Sequence, residues 1–330
     1  MRVPSRKRRH LPKFRPNKVK LRSEIRGKKQ ELHEIKSDTR ATKDRATRIE
    51  HRKRQIRLQQ EIFQLRSRLR TLRDERAQGE LQTGALPDFV IIGASKCGTT
   101  SLYGLLTQHP HVEPAAAKEL HFFDDLFDEG TEWYRRCFPT PRWKDGRRTI
   151  TGEATPMLAH GLAPERMAEV VPEARLIVLL RNPVDRAYSL YHHWARNGVE
   201  ALSFEEVIEA EQEWLHGTSR HECGVGADDV PFEYLSRSVY VDHLQRWSRF
   251  FGDEQLLVLK SEDFFELPSE TLKRVLNFLE LPDWQPDAWK VRNAGTYEEN
   301  MDSATRHRLE EYFEPHNKRL YEFLSVDFEW

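Results

Sequence analysis

Apolar positions follow two regimes along the chain. Between about Leu21 and Ala77 they are sparse and recur in alternating steps of three and four, at Ile25, Leu32, Ile35, Ala46, Ile49 and Ile56. After a shift of phase they resume at Leu58, Ile62, Leu65, Leu69 and Leu72. That spacing predicts one long helix with a heptad seam and a stutter, stronger in its second half. From residue 87 onward the apolar residues instead form continuous runs. Phe89 to Ile92, Ala174 to Leu180 and Gln255 to Lys260 read as strands buried on both faces, as in a parallel sheet. Between them, helical patterning covers Thr99–Gln108, Ala163–Val171, the segment opened by Pro183, Tyr234–Phe251, Pro268–Leu281 and Asp302–Leu324. Strands alternating with helices predict an α/β domain built on a central parallel sheet. Trp247 and Phe250 are expected in its core.

Charge sharpens the division. The chain of 330 residues has no net charge, yet residues 1–80 hold 27 Lys and Arg against 10 Asp and Glu, while the rest holds 26 against 43. Three pieces follow: a basic arm over residues 1–20, a basic helical coiled-coil segment over 21–82, and an acidic catalytic domain over 87–330. The seam predicts a homo-oligomer through 21–82, and the basic surface a weak contact with nucleic acid or another polyanion. The 3 cysteines form no paired motif, so neither a disulfide framework nor a zinc cluster is indicated. No apolar window long enough for a membrane span and no secretory leader are read, and the expected location is cytoplasmic.

The strand ending at Ile92 runs into Gly93-Ala-Ser-Lys-Cys-Gly-Thr-Thr100. Glycines at both ends allow successive N–H groups to turn inward, and the helix that follows adds its partial positive charge. The spacing resembles a Walker A loop, except that Thr99 stands where a nucleoside triphosphatase needs lysine; the lysine is inside the loop, at Lys96. Alone, this spacing fits an ordinary strand-to-helix turn equally well. Glu119 stands shortly before an aromatic pair, which predicts a partly desolvated setting that suits a general base; a carboxylate that merely caps or pairs with a surface lysine is the other reading. The strand ending at Leu180 is followed by Arg181 and, on the next helix, Ser189. A guanidinium and a hydroxyl where a nucleotidase would place a metal-binding aspartate make a second anion site. Two anion sites without a γ-phosphate lysine describe a nucleotide phosphorylated at both its 5′ and 3′ positions.

Taken together, these motifs resemble the sulfotransferases that use 3′-phosphoadenosine 5′-phosphosulfate, in the branch of the heparan sulfate N- and 3-O-sulfotransferases and their bacterial relatives. Gly93 to Thr100 is similar to the family's 5′-phosphosulfate loop, and Arg181-Asn-Pro-Val-Asp-Arg-Ala-Tyr-Ser189 to its 3′-phosphate motif. Lys118-Glu-Leu-His-Phe-Phe-Asp124 resembles the segment that carries the family's catalytic glutamate. The resemblance implies a P-loop-type sheet flanked by helices, with Glu119 and Lys96 catalytic. It also implies donor contacts from Ser95, Lys96, Cys97, Gly98, Thr99, Thr100, Arg181 and Ser189, and from a closing loop with Arg292, Gly295 and Tyr297. Gly152-Glu-Ala-Thr-Pro156 is expected to shape the acceptor cleft. No metal is implied, and the acceptor is expected to be a carbohydrate, with small-molecule and lipid acceptors left open. A nucleotide kinase and a non-catalytic nucleotide-binding scaffold are the competing classes; the absent γ-phosphate lysine and the intact motif residues stand against them.

Overall fold

The computed structural model describes residues 18–77, 84–200, 202–217, 233–287 and 301–330. Two basic helices come first, α1 (Lys18–Ala41) and α2 (Arg45–Ala77). The domain follows with β1 (Phe89–Gly93), α3 (Thr99–Leu106), β2 (Val112–Pro114), α4 (Thr131–Arg135), β3 (Trp143–Lys144), β4 (Arg147–Arg148) and β5 (Ile150–Ala154). It continues with α5 (Ala163–Val170), β6 (Arg175–Leu180), α6 (Pro183–Arg196), α7 (Phe204–Gly217) and α8 (Tyr240–Trp247). The last elements are β7 (Leu256–Lys260), α9 (Ser261–Glu266), α10 (Pro268–Phe278) and α11 (Ser303–Leu324).

The first two continuous apolar runs become β1 and β6 in the middle of a parallel sheet with strand order β2-β5-β1-β6-β7, while the third becomes the edge strand β7, which is only partly buried and not covered on both faces. Phe89 pairs with Gly152 on one side and Arg175 on the other, so β1 has neighbours on both edges. Its five residues are all buried, because helices cover both faces. Trp247 is fully buried and donates its indole N–H to the Leu158 carbonyl at 2.9 Å, but Phe250 is 44% exposed, against the expectation that it lies in the core. It falls just after α8 has ended, where the helical period no longer applies.

The N-terminal segment departs from the single long helix. The chain reverses between Ala41 and Arg45, and α1 and α2 lie antiparallel, as the pairs Lys28–Glu61, Glu31–Arg54 and Thr39–Gln55 record. Thr42 and Asp44 explain the break: the Asp44 carboxylate accepts from the Thr47 amide at 2.8 Å and caps α2, a role that competes with continued helix. Leu21, Ile25, Ile62 and Leu65 then close on each other as a separate apolar cluster. The seam expected to join chains is thus covered within one.

The hairpin is fastened to the domain by a buried ion pair. Arg52 and Glu200 have side chains 4% and 0% exposed, and the Arg52 Nε–H donates to Glu200 Oε2. Arg52 also donates to the Tyr234 hydroxyl at 3.1 Å, and that hydroxyl donates to Glu200 at 2.8 Å. Removing one partner leaves a buried charge uncompensated, whereas neutralising both does not. Arg52→Ala should therefore lower the unfolding free energy by about 3–5 kcal/mol, and Arg52→Met combined with Glu200→Gln by clearly less. Urea denaturation midpoints of the two variants test this, and equal losses would contradict it.

Candidate active site

At the carboxyl end of β1 the chain enters the loop expected to bind phosphate with Gly93 at φ 151° and leaves it through Gly98 at φ 94°, which caps α3. A Cβ on Gly98 would meet the Phe265 ring at 2.9 Å, so both conformation and space require glycine there. Between them Lys96 adopts φ 69°, a left-handed conformation uncommon for a side-chain-bearing residue. Burial, followed by the nearby charges of Arg196 and Arg181, pushes the Lys96 ammonium below the ordinary lysine pKa. Ser95, Lys96, Gly98, Thr99 and Thr100 form the loop and the first turn of α3. The Cys97 thiol instead points into the core, where burial raises its pKa to about 11, so only its backbone is available to a ligand. Ser261, opening α9, braces that backbone by donating to the Cys97 carbonyl at 2.9 Å.

The expected second anion site begins one strand over. Arg181 follows β6, and Asn182 caps α6 by accepting from the amides of Val184 at 3.0 Å and Asp185 at 3.3 Å. Pro183 occupies the first helical turn. The Arg181 carbonyl accepts from the Tyr240 hydroxyl at 2.9 Å, and the Asn182 amide donates to Glu262 at 2.8 Å, so the peptide that carries the guanidinium is pinned on both sides. Ser189 lies on the buried face of α6. Arg292, Gly295 and Tyr297, the expected closing loop, lie outside the described residues.

Sequence reading passed over two arginines of α6. Arg186 is fully buried and donates to Ser95 Oγ at 3.4 Å and to the Tyr234 carbonyl at 2.6 Å, tying α6 to the phosphate loop. Arg196, at the other end of the helix, joins Arg181 in acting on Lys96. His193, one turn earlier, has its pKa lowered by burial first and then by Lys96 and Arg196, and it also feels the Glu119 charge. The step of three from His193 to Arg196 and of seven from Ser189 to Arg196 places these residues near one face, the signal that was available in the sequence.

Glu119 stands on the loop before α4. Its amide donates to the Ala154 carbonyl at 3.1 Å, its φ is 59°, and its carboxylate pairs with Lys118. The side chain is 44% exposed, so the desolvation expected from the aromatic pair is not found. Phe122 and Phe123 turn into the core and Glu119 turns outward. The reason is Glu153 on β5: fully buried, it accepts from the Tyr134 hydroxyl at 2.7 Å, the Thr155 hydroxyl at 2.7 Å and the Leu120 amide at 3.3 Å. The turn containing Glu153 and Thr155 therefore holds the Glu119 loop from beneath rather than simply edging a cleft.

His121, at φ 52°, bonds through Nδ1 to Asp124 at 2.8 Å, with Asp125 at 3.8 Å. Ligand atoms of these three residues lie within 4.8 Å of one another, close enough to hold a cation, although the ring nitrogen is already committed to Asp124. Burial disfavours the imidazolium, but the charges of Asp124, Asp125 and Glu119 outweigh it and raise the pKa to about 9. A cavity of ≈ 550 Å³ lined by Asp88, Ile150 and Arg175 opens at the amino ends of the strands, the opposite edge of the sheet from Lys96.

The sulfotransferase domain model matches residues 86–318. Human heparan sulfate glucosamine 3-O-sulfotransferase 6 is 30% identical over 268 residues, covering 74% of this chain and 73% of that protein. The mouse bifunctional heparan sulfate N-deacetylase/N-sulfotransferase 4 is 29% identical over 271 residues, covering 72% of this chain and 30% of that longer protein. Among solved structures, a sulfotransferase from Alicyclobacillus acidocaldarius superposes with a TM-score of 0.56 at 30% identity, covering 74% of this chain and 98% of that one.

The His121 ion pair gives a pH test. Its folded pKa lies above the ordinary 6.5, so its stabilisation is complete below 6.5 and is lost as pH rises through about 9. The unfolding free energy of the native chain should decline across that window by an amount that Asp124→Asn greatly reduces. Parallel pH profiles for the two proteins, from urea titrations, would refute the pairing.

Proposed function

The chain belongs to the sulfotransferase domain family and is a sulfotransferase, and we propose that its donor is 3′-phosphoadenosine 5′-phosphosulfate and its acceptor a hydroxyl or amine of a carbohydrate. The observation that carries this reading is the convergence of Arg196, Arg181 and Glu119 on the Lys96 ammonium, with Lys96 and Arg181 standing just past the carboxyl ends of β1 and β6. In parallel α/β sheets ligands bind at that edge, and three cations beside an exposed carboxylate suit a polyanionic donor and a proton-bearing nucleophile. Relatives named as heparan sulfate enzymes support the choice of a sugar.

In this mechanism the acceptor oxygen or nitrogen attacks sulfur as the bond from sulfur to the bridging oxygen breaks. Glu119 takes the acceptor's proton, and 3′,5′-diphosphoadenosine leaves with the electron pair. Lys96 and the amides of Gly98, Thr99 and Thr100 stabilise negative charge gathering on the bridging oxygen and 5′-phosphate. Arg181 and Ser189 hold the 3′-phosphate, so that donor and acceptor meet in line. The exposure of Glu119 keeps it reachable by an incoming acceptor, and its ion pair with Lys118 is positioned to be exchanged for the acceptor hydroxyl. His121 stands two residues away as a cation whose proton is held by Asp124, which favours Glu119 over His121 as base near neutral pH.

Lys96→Ala and Glu119→Gln should each lower kcat by about 10²-fold or more, as loss of an oxyanion donor or a general base does. Arg181→Ala should mainly weaken binding of 3′,5′-diphosphoadenosine. Mass spectrometry of products from a panel of sugar, small-molecule and lipid acceptors tests the acceptor class. Near-normal turnover in Glu119→Gln would remove it as base, and an unchanged affinity in Arg181→Ala would remove the 3′-phosphate assignment.

A further inference from the structure

Charge on α1 is sorted by face. Arg22, Arg26, Lys29, His33 and Lys36 follow one another at steps of four and three. At roughly 100° per residue they share an arc of about 80°. Glu24, Glu31, Glu34 and Asp38 all lie on the far side, roughly 120–200° around from Arg22. Leu21, Ile25, Leu32 and Ile35 fill the flank next to the basic row, and Leu21 and Ile25 close on α2. Arg22, Arg26, Lys29 and His33 are exposed, and the three cations among them have no ion-pair partner among the described residues.

The row has a defined end. Lys36 Nζ donates to the Asn197 carbonyl at 2.8 Å, one residue beyond Arg196, which itself acts on Lys96. From there the row runs outward for about 21 Å along the helix. The hairpin that carries it cannot swing freely, because Arg52 is buried against Glu200, three residues after Asn197. A line of three exposed cations, Arg22, Arg26 and Lys29, without an ion-pair partner among the described residues, free of acidic neighbours on its face and leading away from the end of α6, complements a linear polyanion rather than a compact one. The α1 sequence has no Phe, Tyr or Trp on which unpaired bases could stack, so a sugar polymer fits it better than a single-stranded nucleic acid.

We infer that the basic row of α1 is a docking track for an anionic polysaccharide, which it leads toward Glu119 and Lys96. The inference rests on the carbohydrate-acceptor reading only for what happens at those two residues; the binding itself is separable. A polymer engages the track and the proposed site together, while a short sugar reaches the proposed site alone.

The experiment uses the full chain, wild type and the combined Arg22→Gln, Arg26→Gln, Lys29→Gln variant, with desulfated heparin as polymer and its disaccharide as short acceptor. A control removes the same number of cations on the far sides of the two helices, Lys20→Gln, Lys53→Gln and Arg57→Gln. Affinity for the polymer is measured without donor over a range of salt, and sulfuryl transfer to both acceptors is measured with it. The stripe variant should lose about tenfold or more in polymer affinity and show a salt dependence shallower by roughly two to three ions. Its kcat and its KM for the disaccharide should stay within about twofold of wild type, and the control should bind the polymer more tightly than the stripe variant. Unchanged polymer affinity in a stripe variant of normal helicity would overturn the track. Tighter binding of DNA or RNA than of the polysaccharide at equal ionic strength would overturn the choice of partner. Polymer binding that depends on the stripe without any sulfuryl transfer would uphold the track and count against the acceptor reading alone.

Discussion

Lys96, Arg181 and Arg196 bring like charges into one neighbourhood, and the fold has to hold them there against their mutual repulsion. Burial, followed by the two guanidinium groups, disfavours the charged form of Lys96. A flexible loop would relieve the strain by letting the side chains drift apart. The fold prevents this by fixing backbone rather than side chain: Tyr240 and Glu262 grip the Arg181–Asn182 peptide, Ser261 grips Cys97, and buried Arg186 bonds to Ser95. The positive field is therefore present before any ligand arrives, which is the condition under which electrostatic stabilisation of a developing charge costs no rearrangement.

Buried carboxylates carry much of that fixing. Glu153 holds the Leu120 amide beneath the Glu119 loop. Glu211 accepts the consecutive amides of Tyr234, Leu235 and Ser236 at 2.8–2.9 Å, and their carbonyl neighbours in turn receive Arg186. Glu200 accepts the Leu202 amide at 3.1 Å while pairing with Arg52. In each case a group expensive to bury becomes affordable by satisfying several donors at once, and the loop so tied is one that abuts the site. Glu119, the carboxylate proposed as base, is the exception, left half-exposed beside Lys118.

This division explains what could be read in advance. Strands β1 and β6 were legible because burial on both faces leaves unbroken apolar runs, β7 because its apolar run continues even at the half-buried edge of the sheet, and the loop from Gly93 to Gly98 because glycine suits its two ends. Helix α7 was passed over, although Phe204, Val207, Ile208 and Glu211 stand at helical spacing and all four are buried, since a glutamate on an apolar face reads as an interruption. The desolvated Glu119 was an inference from sequence neighbours, and it failed because positive φ at Glu119 and His121 sends adjacent side chains in opposite directions. Arg186 could not be told from surface charge in a helix; nothing local distinguishes an arginine that will be bound by buried carbonyls from one that will be solvated.

The N-terminal segment shows the same limit at larger scale. A heptad seam states that a helix has a partner along one face, and it is silent on whether the partner is another chain or the same chain returning. What decided the matter was the weakest part of the seam, Thr39 to Asp44, where side chains that cap and turn outcompete helix propagation. Once folded back, the hairpin places a buried arginine into the domain at Glu200 and a lysine onto the turn after Arg196. A segment that composition sets apart as a separate basic object thereby rests against the end of α6 that carries Arg196, so its charge lies beside the domain rather than at a distance from it.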